Sequence, residues 1–170
     1  MNYAAIKFHD IANGPGVRVS LFVSGCPHRC PGCFNEETWD FSYGKPYTAA
    51  VEGMILKGLT PSHIKGFSLL GGEPFVPENQ KVLLPLLQKI RKELPSKTIW
   101  AYSGYLWEQL LERDGHKGML PLVNVLVDGP FIEAEKDLSL RFRGSGNQRV
   151  IDVAASLQQG HLVLWHDPKS

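Results

Sequence analysis

The chain is poor in cysteine, in net charge and in long apolar runs, and each shortage excludes something. Three cysteines occur in 170 residues, all between Cys26 and Cys33. That excludes the disulfide framework that staples small secreted domains. Lys and Arg number 18 against 17 Asp and Glu, a formal charge of +1. Such a balance argues against a nucleic-acid or anionic-membrane partner, and neither is expected. No apolar run approaches the roughly 20 residues that cross a bilayer. The opening MNYAAIKFHD has neither the basic nor the apolar segment of a signal peptide. The expected location is the cytoplasm, where thiols stay reduced.

What is present suits one domain spanning 1–170, since 43% hydrophobic residues can build a core at this length. VSLFV (19–23), GFSLL (66–70), KTIWAY (97–102) and LVNVLV (122–127) are compact and mostly apolar. Buried parallel strands read that way. Between them, Val51, Met54, Ile55 and Leu59 recur at helical steps behind Thr48, an N-cap candidate. Leu83, Leu87, Ile90 and Leu94 mark a second helix, which Pro85 is expected to kink or delay. Leu106, Leu110 and Leu111 mark a short third. Strand, helix, strand repeated this way predicts right-handed crossovers and an α/β fold with a parallel sheet. After residue 128, DGPFIEAEKDLSLRFRGSGNQ reads as a long ordered loop. QRVID and HLVLW are candidate strands around VAASLQQ, a helix or hairpin. No repeat, linker or low-complexity segment interrupts the chain.

The cysteines form C-x3-C-x2-C within SGCPHRCPGCFNEETW, at the C-terminal end of the first predicted strand. In α/β folds ligands bind at that edge. Gly25, Pro27, Pro31 and Gly32 let the backbone wrap three thiolates toward one centre. Three readings compete. A structural zinc needs a fourth ligand, for which His28 or His9 is available, but it usually draws on separated ligand pairs. Three unligated thiols on a tight loop would be prone to oxidation. A [4Fe–4S] cluster normally takes four thiolates, so three leave one iron open to an external ligand.

This cysteine pattern resembles that of radical S-adenosylmethionine enzymes. LLGGEP (69–74), after the second predicted strand, resembles their GGEP element, and NGPGVR (13–18) resembles the DGPGxR element of glycyl-radical-enzyme activases. Without that neighbour, NGPGVR is a turn on Pro15 and Gly16 with an exposed Arg18. DIANGPGVR, LFVSGCPHRCPGCFNEETW, LLGGEP, NVLVDGPF and RFRGSGNQRVID extend the similarity over residues 10–152. The similarity is to activases that serve an anaerobic ribonucleoside-triphosphate reductase. Larger activases carry extra cysteine-rich inserts for which this chain has no cysteines.

The resemblance implies a truncated, partial (β/α) barrel, open on one side to a partner's loop. It implies a [4Fe–4S] cluster on Cys26, Cys30 and Cys33, with S-adenosyl-L-methionine chelating the fourth iron. It implies the reductase's glycyl-radical subunit as partner and a one-electron donor such as flavodoxin. Gly71 and Gly72 would allow close backbone approach, and Glu73 would accept from the methionine ammonium. An aromatic residue usually precedes the third cysteine. Here Gly32 does and Phe34 follows, so the adenine contact falls to the backbone from Gly32 to Phe34. Ser103 and Asp128, at later strand ends, are candidate cofactor contacts whose ordinary role is in turns. Arg141, Arg143 and Arg149 suggest an anion-binding loop or a solvated basic face, with Arg143 and Asn147 as cofactor or partner contacts. Trp39 and Phe41 are read as packing over the cysteine loop. His9, His28 and His116 receive no role. An activase of another glycyl-radical enzyme, a small radical enzyme acting on a purine-like substrate, and a non-catalytic iron–sulfur or zinc carrier remain alternatives.

Overall fold

A computed structural model describes residues 1–115 and 117–167; His116 lies outside the described residues. Seven strands build one sheet: β1 (Asn2–Asp10), β2 (Val17–Val23), β3 (Lys45–Pro46), β4 (Ile64–Gly71), β5 (Thr98–Tyr102), β6 (Val125–Asp128) and β7 (Arg149–Asp152). Their order is β3-β1-β2-β4-β5-β6-β7. The central four, β2, β4, β5 and β6, run parallel, as the compact apolar runs predict. β1 lies antiparallel on β2, β3 on β1, and β7 on β6. The sheet is therefore mixed, and it is not closed.

The helices α1 (Ala49–Leu59), α2 (Pro77–Glu93), α3 (Trp107–Asp114) and α4 (Val153–Gln159) complete the α/β pattern. Thr48 caps α1 by accepting from the Val51 N–H at 3.3 Å. Pro85 neither delays nor ends α2, which starts earlier, with Pro77 in its first turn. Pro85 is on the solvent side, away from buried Leu83, Leu86, Leu87 and Ile90. Having no N–H, Pro85 cannot donate to the carbonyl four residues back, on exposed Lys81. The run at 122–127 starts late as a strand because residues 120–122 form a 3-10 turn. The Asn124 side chain then accepts from the Ile99 N–H. VAASLQQ is helical, capped by Asp152 and stopped at left-handed Gly160. HLVLW pairs along β7 only through a single bridge, Ile151 to Leu164.

Alternation along the strands gives the sheet two faces. Val19, Leu21, Val23, Phe67, Leu69, Ile99, Ala101 and Leu126 meet the helices in the main core. The intervening residues Arg18, Ser20, Phe22, Ser68, Trp100, Tyr102, Val125 and Val127 line the other face. There Phe142 and Trp165 pack on Trp100 at ring distances of 5.2 and 4.9 Å. Arg18, exposed in the plain-turn reading of NGPGVR, is fully buried. Its guanidinium donates to Ser68 Oγ (2.7 Å), the Phe67 carbonyl (2.8 Å) and Thr98 (3.0 Å). The NGPG turn is thus bolted to the sheet, with Ser68 Oγ donating onward to the Asn13 carbonyl. Burial lowers the Arg18 pKa to about 10.

Candidate metal centre

β2 and β4 run side by side, and the loops leaving their C-terminal ends touch. Gly25 sits at φ +94°, and a Cβ there would stand 2.2 Å from the Phe41 ring. The Gly25 and Cys26 N–H groups donate to the Thr38 and Trp39 carbonyls, at 2.7 and 3.2 Å. Phe41 and the Trp39 backbone thus pack on the start of the cysteine loop, as expected. From the neighbouring loop, Gly72 N donates to the Val23 carbonyl (2.7 Å) and Glu73 N to the Gly25 carbonyl (2.8 Å). Gly72 must be glycine here, because its Cβ would lie 2.6 Å from the Gly25 oxygen. Buried Asn79 on α2 donates to both loops, reaching the Ser24 and Glu73 carbonyls at 3.0 Å. Nothing in the sequence around Asn79 marks it for this.

The three thiols are free and half-buried. They line one open cavity of about 460 Å³ with His28, Phe34, Gly71, Gly72, Glu73, Ser103, Gly104, Phe131 and Arg143. Burial pushes the Cys26 thiol up to about 11, against the pull of the His28 and Arg29 N–H groups aimed at its sulfur. Burial also raises Cys30, and the Phe131 N–H opposes it. Cys33 Sγ accepts from the Asn35 N–H at 3.4 Å. All three sulfurs therefore face backbone donors. This set fits iron–sulfur ligation, in which hydrogen bonds to sulfur tune the cluster. Among the described residues no three Cys, His, Asp or Glu side chains converge as a single ion would require. A cubane instead meets each thiolate on a different iron.

Glu73 is 1% exposed. Its carboxylate accepts from the Phe75 N–H (2.9 Å), the Gly104 N–H (2.8 Å) and Ser103 Oγ (2.9 and 3.1 Å). His28 Nε2 lies 2.8 Å from Oε2. The resemblance implies a carboxylate open to an ammonium; the structure gives it four protein partners. Ser103 belongs to the site, but through Glu73. His28, which has no role in the sequence reading, is at its centre. Its place between two of the cysteines is the available signal.

The remaining candidates divide. Phe34 reaches the cavity wall, tilted against Phe131 at 5.1 Å and 57° and topped by Lys136. Gly32, at φ +71°, lies beside the cavity, and its missing Cβ makes room for the Glu133 carboxylate. Arg143 lines the cavity, with its Nη1 on the Gln148 carbonyl. Asp128 is fully buried, holding the Trp107 N–H at the start of α3 and the Arg149 guanidinium. Of the three arginines read as an anion-binding loop or a solvated basic face, two are paired with carboxylates. Arg141 pairs with Asp167, and Arg149 with Asp128 and Glu108. Asn147 bonds the Pro130 carbonyl and shapes its own loop.

Comparison with known proteins names the class. Residues 12–151 match the family model of the 4Fe-4S single cluster domain. The anaerobic ribonucleoside-triphosphate reductase-activating protein of Escherichia coli (strain K12) is 47% identical over 152 residues, 88% of this chain and 97% of the relative. The chain belongs to the anaerobic ribonucleoside-triphosphate reductase-activating protein family. The activating protein of Vibrio cholerae serotype O1 is 45% identical over 150 residues, 87% of this chain and 96% of that one. That of Enterobacteria phage T4 is 38% identical over 152 residues, 88% of this chain and 93% of the phage protein. Among the described residues no helix is long and apolar enough to cross a membrane.

Proposed function

We propose that this activating-protein family member, acting as one domain over residues 1–170, installs a glycyl radical on an anaerobic ribonucleoside-triphosphate reductase. Cys26, Cys30 and Cys33 would hold a [4Fe–4S] cluster, and S-adenosyl-L-methionine would take the remaining iron. With a one-electron donor such as flavodoxin, that pair would supply reductive cleavage of S-adenosylmethionine to methionine and a 5′-deoxyadenosyl radical, the group that would take a hydrogen atom from a backbone glycine of the reductase. The observation that carries this reading is the meeting of the cysteine loop and the GGEP loop on one cavity wall, with a backbone donor aimed at each sulfur.

The protein's own residues then have separable tasks. Gly71 and Gly72 keep the second loop flat against the first, so both present backbone to the bound methionine end. Phe34, next to Cys33, lines the same cavity, where an adenine ring would have an aromatic neighbour, and Gly32 would offer backbone beside it. Arg143 offers a cation across the cavity from the thiols. Asp128 and Ser103 support this edge from behind, through α3 and Glu73. The unclosed sheet is compatible with a partial (β/α) barrel of the radical enzyme type, whose open side would admit a partner's glycine loop. A cytoplasmic setting, without nucleic acid or membrane, accords with the near-zero net charge.

The test is anaerobic reconstitution with iron and sulfide, reduction, and addition of S-adenosylmethionine with the reductase. The reading expects 5′-deoxyadenosine together with a glycyl-radical signal by electron paramagnetic resonance, both lost in Cys30→Ala. Deoxyadenosine without the glycyl signal would move the substrate elsewhere. Neither product from a fully loaded protein would leave an iron–sulfur carrier.

A further inference from the structure

We propose that His28 is a positioning residue for S-adenosylmethionine, clasping the cysteine loop to the GGEP loop through Glu73; this rests on the radical reading above. Its ring occupies a slot that two neighbouring strand-end loops build together. Nε2 is 2.8 Å from Glu73 Oε2, in the loop after β4. The Tyr105 ring, after β5, meets the imidazole edge-on at 4.5 Å and 73°. The floor is Gly104, where a Cβ would stand 2.4 Å from His28 Cδ2. Any side chain there would expel the histidine.

The direction of the bond follows from the other partners. The Phe75 and Gly104 N–H groups can only donate, so the Glu73 carboxylate is an acceptor and the His28 Nε2 carries the hydrogen. A carboxylate offers about four acceptor sites. Phe75, Ser103, Gly104 and His28 fill them. Glu73 therefore acts through the geometry it imposes. It fixes His28, and His28 lies in the three-residue stretch between Cys26 and Cys30. The Cys26 sulfur also faces the His28 N–H, so the same residue bonds a thiolate by its backbone and the neighbouring loop by its side chain. Displacing the ring would shift the open iron relative to the loop backbone that meets the methionine end.

The experiment uses the reconstituted, reduced protein and follows the change that added S-adenosylmethionine makes in the cluster's electron paramagnetic resonance spectrum. Iron and sulfide content are measured beside it. The wild-type spectrum must change. His28→Ala is expected to keep its iron and sulfide but to need about tenfold more S-adenosylmethionine for half the change, the scale of one charge-assisted hydrogen bond. His28→Gln, whose amide can still donate to Glu73, is expected to recover most of that loss. An unaltered titration in His28→Ala would overturn the proposal, as would a glutamine variant as weak as the alanine one. Iron loss in His28→Ala as large as in Cys30→Ala would also overturn it, making His28 part of the cluster's own hold. A fully loaded wild-type protein with no spectral change would instead fail the radical reading itself, and the inference with it.

Discussion

Gly72 and Gly25 lie in backbone contact, so close that a methyl group on Gly72 would stand 2.6 Å from the Gly25 carbonyl oxygen. The obstacle is main chain on both sides, and neither loop can yield alone. Gly72→Ala is expected to cost about 1–3 kcal/mol, the usual range for overpacking. It should also lower iron content after reconstitution, because the displaced partner leads into Cys26. Urea unfolding of the apo protein and an iron assay check the two effects separately.

Asp128 and Arg149 give a second expectation. Asp128 has no exposure at all, and Arg149 supplies its countercharge. Arg149→Met would leave a buried carboxylate without it, at a cost of about 3 kcal/mol or more. Glu108, the exposed partner of the same guanidinium, should matter far less: Glu108→Gln is expected within about 1 kcal/mol of wild type. Comparing both variants by chemical denaturation tests the difference.

Acid should loosen the turn before β2. Burial raises the Asp10 carboxyl, but hydrogen bonds from the Asn13 side chain and the Ala12 N–H outweigh it and hold the group below the ordinary aspartate range. A carboxylate depressed in the folded state binds its proton first in the unfolded chain. Its stabilisation is therefore present above about pH 4 and is lost as pH falls through the folded value. Thermal melts from pH 6 to 3 should show Asp10→Asn destabilised at the upper end, with the gap narrowing at the lower.

Burial should slow the reaction of the Cys26 thiol in the apo protein. With its pKa near 11, Cys26 is thiolate in only about one molecule in a thousand at pH 8. Its alkylation by iodoacetamide under anaerobic conditions should rise about tenfold per pH unit from 8 to 10. Peptide mapping by mass spectrometry reads that slope directly; a flat profile at Cys26 would contradict the burial of its sulfur.

Much of this architecture is legible in the amino-acid order. Residues 19–23 and 67–70 announce central strands because parallel strands buried on both faces need unbroken apolar runs. The cysteines and GGEP are legible because each is a contiguous motif at a strand's end. β1 carries a fainter signal: Ile6, Lys7, Phe8 and His9 alternate as a half-exposed strand does, without an apolar run to mark it. Arg18 reads as exposed because a buried arginine looks like a surface one until its acceptors, up to 80 residues away, are folded around it. Asn79 escapes notice, and the role of His28 stays hidden, for the same reason. Their partners come from other loops, and no local pattern records a hydrogen bond across 45 or 55 positions.

The hydrogen bonds of the cysteine loop also dictate an order of assembly. Gly25, Cys26 and Glu73 are fixed by main-chain bonds to Thr38, Trp39 and Gly25, all made by protein groups alone. The bonds from Glu73 to Gly25, from Asn79 to Ser24 and from Gly104 to Glu73 join positions far apart in the chain, so they form only once β2, β4 and β5 stand side by side. A small zinc module folds when its metal arrives. In this protein the receiving loops are held by protein groups alone, so the fold is expected to form before iron and sulfide arrive.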